Sequence, residues 1–492
     1  MTFSNPIIPG FNPDPSICRV GDDYYIATST FQFYPGIPIY HTTEGRFGEW
    51  KLIGHVIHTT EHLPELSEAV VRGGLWAPTL RYHNGTFYCM TTFVYADRPV
   101  EDTKRWKNFY CTSKDCKEWN KPIYFDYPGY DTSLNIINEK EAWVQGSFYW
   151  RIRPEISQFK MDLETGEAKT DLMRLWSGSG KKAPEAPHVL KKDDWYYEII
   201  SEGGTEEGHS IVMARARSID APESEWEVCP SNPILTHHDL PEERVQCTGH
   251  ADFFQDGQDQ WWMVFLATRH ETKEAYYTGP LVRETFLTRV AEWPENGWPK
   301  IERPIKAIQS KTQGKTQYTF SDSQGQFSLD CLWVGNPDLK RYQLINDHAL
   351  KLTGSSIGLD QVPGSPTFIG LRQCDLLDQF SIRLEEGYSN SDVAVTVFLD
   401  GQHFYSLSVS NNKNIVFTHS FEGKINSTVY DDKTLTYPVQ LTAKSTLTDY
   451  IFYFNDEEIA SGKHQSVSVG FTGALFGVFA QSKQDEEVIV YF

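Results

Sequence analysis

The sequence predicts an all-β protein, and three observations carry that expectation. Phe, Trp and Tyr together make up 14% of the 492 residues, and aromatic side chains favour strands. One hairpin grammar recurs five times in the first 270 residues: a small or polar pair, a short apolar run, a polar turn and an aromatic-rich strand. Long amphipathic helical stretches are absent from the sequence, which argues against alternating α/β architectures.

The repeats start at Asp14, Ala77, Asp131, Ala186 and His250, spaced by 63, 54, 55 and 64 residues. Pro15, Pro78 and Pro187 coincide, as do Tyr24, Phe87 and Tyr196. Each unit reads as a hairpin whose turn is Gly-Asp-Asp, Asn-Gly, Asn-Glu-Lys, Lys-Asp-Asp or Asp-Gly-Gln-Asp. The period leaves room for two more strands, and four-stranded units repeated in this way describe propeller blades. Five units predict a five-bladed β-propeller over residues 1–305.

The composition then changes. A Pro-rich tie from Trp293 leads into a polar stretch without repeats, read as a linker over 306–318. Alternating strands follow, starting at Gln379, Val393, Phe404, Ile415, Tyr450 and Val467, with turns at 400–402, 411–413 and 455–457. Their spacing predicts a β-sandwich over 319–492, of jelly-roll, lectin-like topology.

With 45 basic against 66 acidic side chains, a net charge of −21 repels phosphate backbones, so nucleic acid and anionic membranes are excluded as partners. No apolar run is long enough to span a bilayer. The start at Met1 lacks a basic segment followed by an apolar one, so the expected location is cytoplasmic. The eight cysteines show no C-x-x-C pair and read as buried free thiols. A homo-oligomer is compatible with the sequence but is not read from it.

In a propeller the first strand of each blade lines the central channel, so equivalent positions converge. At or just before the repeat starts stand Asp14, Trp76, Asp131, Glu185 and His250. Three blades thus aim a carboxylate at one cavity, which a structural core avoids because buried carboxylates are costly unless paired. Three acids allow metal chelation or general acid/base work. Only one histidine falls at a repeat start, which disfavours a catalytic transition metal. Hydrolysis of a glycosidic bond needs one protonated and one ionised carboxyl, and a third acid raises the pKa of its neighbour. Phe31, Trp76 and the Trp261-Trp262 pair are candidate stacking surfaces for a sugar.

These motifs carry a family resemblance. Asn5-PIIPGFNPDPSI, Asp23-YYIATSTFQFYPG, Arg72-GGLWAP, Gly129-YDTSL, Pro184-EAPH, Ser201-EGGT, Cys247-TGHAD and Val282-RET resemble, in order, the motifs of family 43 glycoside hydrolases of the β-xylosidase type. The resemblance implies an inverting exo-glycosidase that releases xylose from the non-reducing end of β-1,4-xylo-oligosaccharides, with α-L-arabinofuranosidase side activity. It implies Asp14 as general base, Asp131 as the pKa-modulating acid and Glu185 as general acid. It further implies Arg283 as a substrate contact, Phe31 and Trp76 as pocket walls, and His250 at the channel centre, near a calcium or other cation through water. No cofactor is expected for the chemistry. Gly470-FTGALFG matches a loop that the family's C-terminal sandwich sends into the pocket, with Phe471 at its tip.

Two departures stand out. The acid motif usually reads Glu-Gly-Pro-His, whereas Ala186 follows Glu185 here, and Asn135-Ile136-Ile137 replaces the run that usually follows Ser-Leu. Inversion predicts carboxyls roughly 6.5–9.5 Å apart for Asp14 and Glu185. Other readings are a dedicated arabinofuranosidase or arabinanase, a non-catalytic sugar-binding propeller, and a metal-dependent hydrolase centred on His250.

Overall fold

Alternation of apolar and polar residues gives antiparallel sheets throughout the computed structural model, which describes residues 3–270, 279–310, 314–385, 391–411, 413–431 and 435–492. Three sequence expectations fall partly outside these residues: the linker at 311–313, the strand expected to reach residue 387, and the turn at residue 412.

Among the described residues, five sheets of four or five strands lie between residues 16 and 301. Each opens with a predicted hairpin, the first pairing Ser16–Val20 with Asp23–Ala27 and the second Thr79–His83 with Thr86–Val94. Asn84 and Gly85, at φ 44° and 76°, make the left-handed turn that Asn-Gly favours. The first hairpin strands of the five sheets are Ser16–Val20, Thr79–His83 (preceded in its sheet by the short strand Gly74–Leu75), Tyr130–Ile136, Glu185–Lys192 and Val245–Gln255. Each packs on the next, and the fifth packs on the first, closing a ring. The N-terminal segment ties the closure, because Ile7 N donates to Thr285 O at 2.9 Å and Asn5 exchanges side-chain bonds with Leu287.

Below the repeat starts, four first strands each give one residue to the ring centre. Arg81 donates to Asp252 at 2.7 Å and meets His188 Nδ1 at 3.0 Å, and Ser16 Oγ donates to Asp252 at 2.7 Å. Burial pushes Asp252 up, but Arg81 and His188 outweigh it and hold the carboxyl at about 2. This network forms a floor across the ring axis.

The C-terminal region packs a seven-stranded sheet on a six-stranded one, both antiparallel. Phe380, Leu441 and Phe452 from one sheet meet Val395, Leu407 and Phe476 from the other in a common core. The strands expected from Val393, Phe404, Ile415 and Tyr450 form within a residue of those starts. The strand expected from Val467 begins only at Leu475. Gly470 takes φ 96°, and a Cβ on Gly473 would lie 2.8 Å from that of Phe11, so the 468–474 stretch bends into a loop docked on the ring. Further strands of these two sheets, including Lys424–Tyr430 and Glu487–Tyr491, lie outside the runs that the sequence marks.

The two regions share an apolar seam. Trp333–Val334 pairs with Phe33–Tyr34, and Phe11, Phe31 and Phe33 pack with Phe368, Phe398 and Leu475. Arg269 pairs with Glu284 at 2.6 Å inside this seam, while Glu284 accepts from Gly10 N and Arg269 donates to Cys374 O. Seven of the eight cysteines are buried, and all eight are free thiols, as the sequence suggested.

Candidate active site

The repeat starts share an unusual backbone. Asp14, Asp131, Ala186 and His250 have φ between 50° and 57°, a left-handed conformation costing a non-glycine residue about 1–2 kcal/mol. In the last three sheets it opens a bulge, with register skipping from Tyr130 to Ser133, Glu185 to His188 and Gly249 to Asp252. A bulge re-aims side chains that a regular strand would place on alternate faces. The sequence treated the three acids as equivalent. In the structure Asp14 and Asp131 occupy the left-handed position itself, whereas Glu185 stands one residue earlier, in register with Trp76, Tyr130 and Gly249.

Asp14, Phe31, Trp76, Asp131, Glu185, His250, Arg283 and Phe471 all line one small cavity of about 50 Å3. These eight residues proposed from sequence therefore come together. Trp261 and Trp262 do not join them: Trp262 packs on Phe3 and Phe47, and Trp261 on Trp293, outside the cavity.

Asp14 is 5% exposed. Its Oδ2 accepts from Ser29 Oγ at 2.6 Å, and its Oδ1 accepts from Arg283 at 3.0 Å and faces His250 Nδ1 at 3.6 Å. Burial alone would raise its pKa, but Arg283, His250 and Ser29 together carry it below the ordinary value. Glu185 lies opposite in character. Burial, and then the charge of Asp14, push it up to about 7, against the smaller pull of Arg283 and the Tyr130 hydroxyl. Tyr130 donates to Glu185 Oε2 at 3.3 Å. Asp131 is itself driven well up by burial and by Glu185. As a buried neighbouring pair the two carboxyls oppose simultaneous ionisation. For Glu185 the main cause is burial, whereas the sequence alone points first to Asp131.

Arg283 joins the two regions at the cavity. One guanidinium nitrogen reaches Asp14 and the other donates to the Phe471 carbonyl at 3.0 Å, while the group lies 5.7 Å from the Phe31 ring centre and 5.4 Å from that of Phe471. Phe31 and Phe471 stack at 5.8 Å, and Trp76 stands edge-on to Phe471 at 5.6 Å. Burial and Arg283 lower His250 despite Asp14 beside it.

Sequence reasoning missed Tyr130, Thr205 and His209, which also line the cavity. Tyr130 sits unmarked beside Asp131 in a quoted motif. His209 precedes the third strand of its sheet, a place for which the repeat gives no signal.

Around His250 the nearby carboxylates are engaged, Asp14 by Arg283 and Ser29 and Asp252 by Arg81 and Ser16. Among the described residues no three His, Cys, Asp or Glu side chains are grouped to hold a metal. Calcium takes 6–8 oxygen ligands, and these donors do not fit an ion ligated directly by the protein.

Two carboxyls in one cavity with aromatic walls, one favoured ionised and the other protonated, suit glycoside hydrolysis. Comparison with known proteins agrees. The family described as glycosyl hydrolases family 43 matches residues 3–299, and the β-xylosidase C-terminal concanavalin A-like domain matches 317–492. The chain belongs to glycosyl hydrolase family 43, with a propeller followed by a concanavalin A-like sandwich. It is 33% identical to the non-reducing end α-L-arabinofuranosidase BoGH43B of Bacteroides ovatus, over 97% of this chain and 91% of the relative. It is 31% identical to a xylosidase/arabinosidase of Butyrivibrio fibrisolvens, over 97% and 96%. The crystal structure of the GH43 protein BlXynB from Bacillus licheniformis superposes with a TM-score of 0.83 at 27% identity, covering 100% of this chain and 98% of that one.

Proposed function

We propose that this chain is an inverting exo-acting β-xylosidase with α-L-arabinofuranosidase side activity. The observation that carries the reading is the contrasting surroundings of two carboxyls in one cavity: Arg283 and Ser29 bond Asp14 and favour its ionised form, whereas burial beside Asp14 favours the protonated form of Glu185. Glu185 donates a proton to the departing glycosidic oxygen as its bond to the anomeric carbon breaks. Asp14 takes a proton from the water that attacks the opposite face. Asp131 is the modulating acid electrostatically linked to Glu185, and Arg283 keeps Asp14 ionised while offering N–H groups to the sugar. Phe31, Trp76 and Phe471 wall the ring of a single pentose, which favours release of one residue from a chain end of a xylo-oligosaccharide. One relative is named a xylosidase/arabinosidase and another a non-reducing end α-L-arabinofuranosidase, which supports the dual specificity.

We read the five sheets as the blades of a five-bladed propeller over residues 1–305, joined by a linker at 306–318 to a jelly-roll sandwich at 319–492. A cation held through water beside His250 is at most structural in this reading, and no step passes through it.

The test compares Asp14→Asn and Glu185→Gln on xylobiose and on nitrophenyl β-xyloside, with the anomer of the released sugar followed by NMR. Asp14→Asn loses both activities. Glu185→Gln loses far more on xylobiose, because nitrophenol departs with little protonation. Equal losses for Glu185→Gln, or a first product with retained configuration, would overturn the assignment.

A further inference from the structure

His209 is fully enclosed, and its ring is fixed by two features outside the carboxylate set. Its Nδ1 lies 3.2 Å from the carbonyl oxygen of Cys247. A carbonyl can only accept, so the proton of the neutral ring sits on Nδ1 and Nε2 presents a bare lone pair. That Nε2 is buried without a hydrogen-bond partner and lies 3.9 Å from Glu185 Oε1. Burial holds the ring neutral, down to about 3. The second feature is Gly249, where a Cβ would fall 2.0 Å from the imidazole, so the absence of a side chain there makes the ring's seat.

We propose that His209 is a positioning residue for the acid: its Nε2 accepts the hydrogen of the Glu185 carboxyl, holding that group protonated and fixing its rotation between turnovers. The inference rests on the assignment of Glu185 as the acid. The 3.9 Å separation lies beyond hydrogen-bond range, so the proposed bond requires the carboxyl to turn toward the ring. A lone pair aimed at this oxygen opposes the carboxylate and favours the acid form. The other groups facing Glu185 are Asp14 from the first sheet, Asp131 and Tyr130 from the third, Arg283 beside the fifth, and Glu206 on the loop that carries His209. When a glycoside enters, the Glu185 hydrogen swings to the bridging oxygen and transfers there, while His209 keeps its own proton on Nδ1.

The test measures pH profiles of kcat/KM for His209→Asn and His209→Gln. His209→Asn retains an amide donor for the Cys247 carbonyl but withdraws the acceptor from Glu185. Its alkaline limb on xylobiose falls by about one pH unit, and its loss on xylobiose exceeds that on nitrophenyl β-xyloside about tenfold. His209→Gln restores an acceptor and at least half of the lost range. Gly249→Ala, which displaces the ring from the other side, shifts the limb the same way and serves if His209→Asn does not fold. An unmoved limb, or equal loss on both substrates, overturns the proposal. Glu185→Gln run in parallel separates the two failures: if it discriminates between the leaving groups and His209→Asn does not, only the role of His209 falls.

Discussion

Arg283 and Phe471 meet across the boundary between ring and sandwich, and they meet through the backbone: a guanidinium N–H donates to the Phe471 carbonyl at 3.0 Å. The phenyl ring and the carbonyl of one residue therefore serve different ends. Phe471→Ala removes a wall but keeps the acceptor. Steady-state kinetics on xylobiose should show KM rising about tenfold, some 1.4 kcal/mol, with the acid limb of the pH profile in place.

Arg283→Ala takes the cationic partner from Asp14. The acid limb of kcat/KM should then move upward in pH, because burial is left with less opposition, and kcat should fall by about two orders of magnitude. An unmoved acid limb would separate Asp14 from that limb.

The wild-type profile of kcat/KM should be bell-shaped. Activity is lost as pH falls through the depressed pKa of Asp14, which must be ionised, and as pH rises through about 7, where Glu185 gives up its proton. Dialysis against a chelator should leave kcat within about twofold, since the acid/base step needs only protein groups.

Much of this site could be read before any coordinates. The repeat starts and the Gly-Asp-Asp and Asn-Gly turns mark five hairpins, and their equivalence brings Asp14, Asp131 and Glu185 together. Tyr130 stayed hidden because Asp131 beside it was taken as that repeat's residue, although Tyr130 is the one in register with Glu185, and His209 because it lies off the repeat in space left by Gly249. The sandwich strands Lys424–Tyr430 and Glu457–Lys463 were missed because they are mostly exposed edge strands, where burial imposes no alternation. The left-handed backbone at Asp14, Asp131 and His250 had no signature either, since none of these positions carries glycine.

Ala186 shares that backbone at φ 55°, where the family motif usually carries glycine. Ala186→Gly should relieve about 1 kcal/mol of strain. Calorimetry should show a thermal midpoint higher by about 1–2 °C, with kcat changed by less than threefold.

Glu198 is fully enclosed in its strand, and neither carboxyl oxygen has a hydrogen-bond partner. Burial raises its folded pKa well above the ordinary value. The carboxyl therefore costs nothing extra below the unfolded value of about 4.3, and stability is lost as pH rises from there toward the folded pKa. Glu198→Gln, neutral throughout, should be more stable than the wild type at pH 7 by about 1–3 kcal/mol. Denaturant titration should find that advantage shrinking toward pH 4.

The floor made by Arg81, Asp252, His188 and Ser16 has a consequence for traffic. If that network seals the chamber underneath, the liberated monosaccharide and the shortened chain leave by the route the next chain uses to arrive. In that case the substrate cannot thread onward after a cut. Under the proposed exo action each cleavage is then a separate visit, so hydrolysis of a longer xylo-oligosaccharide should be distributive and slowed by the free sugar product.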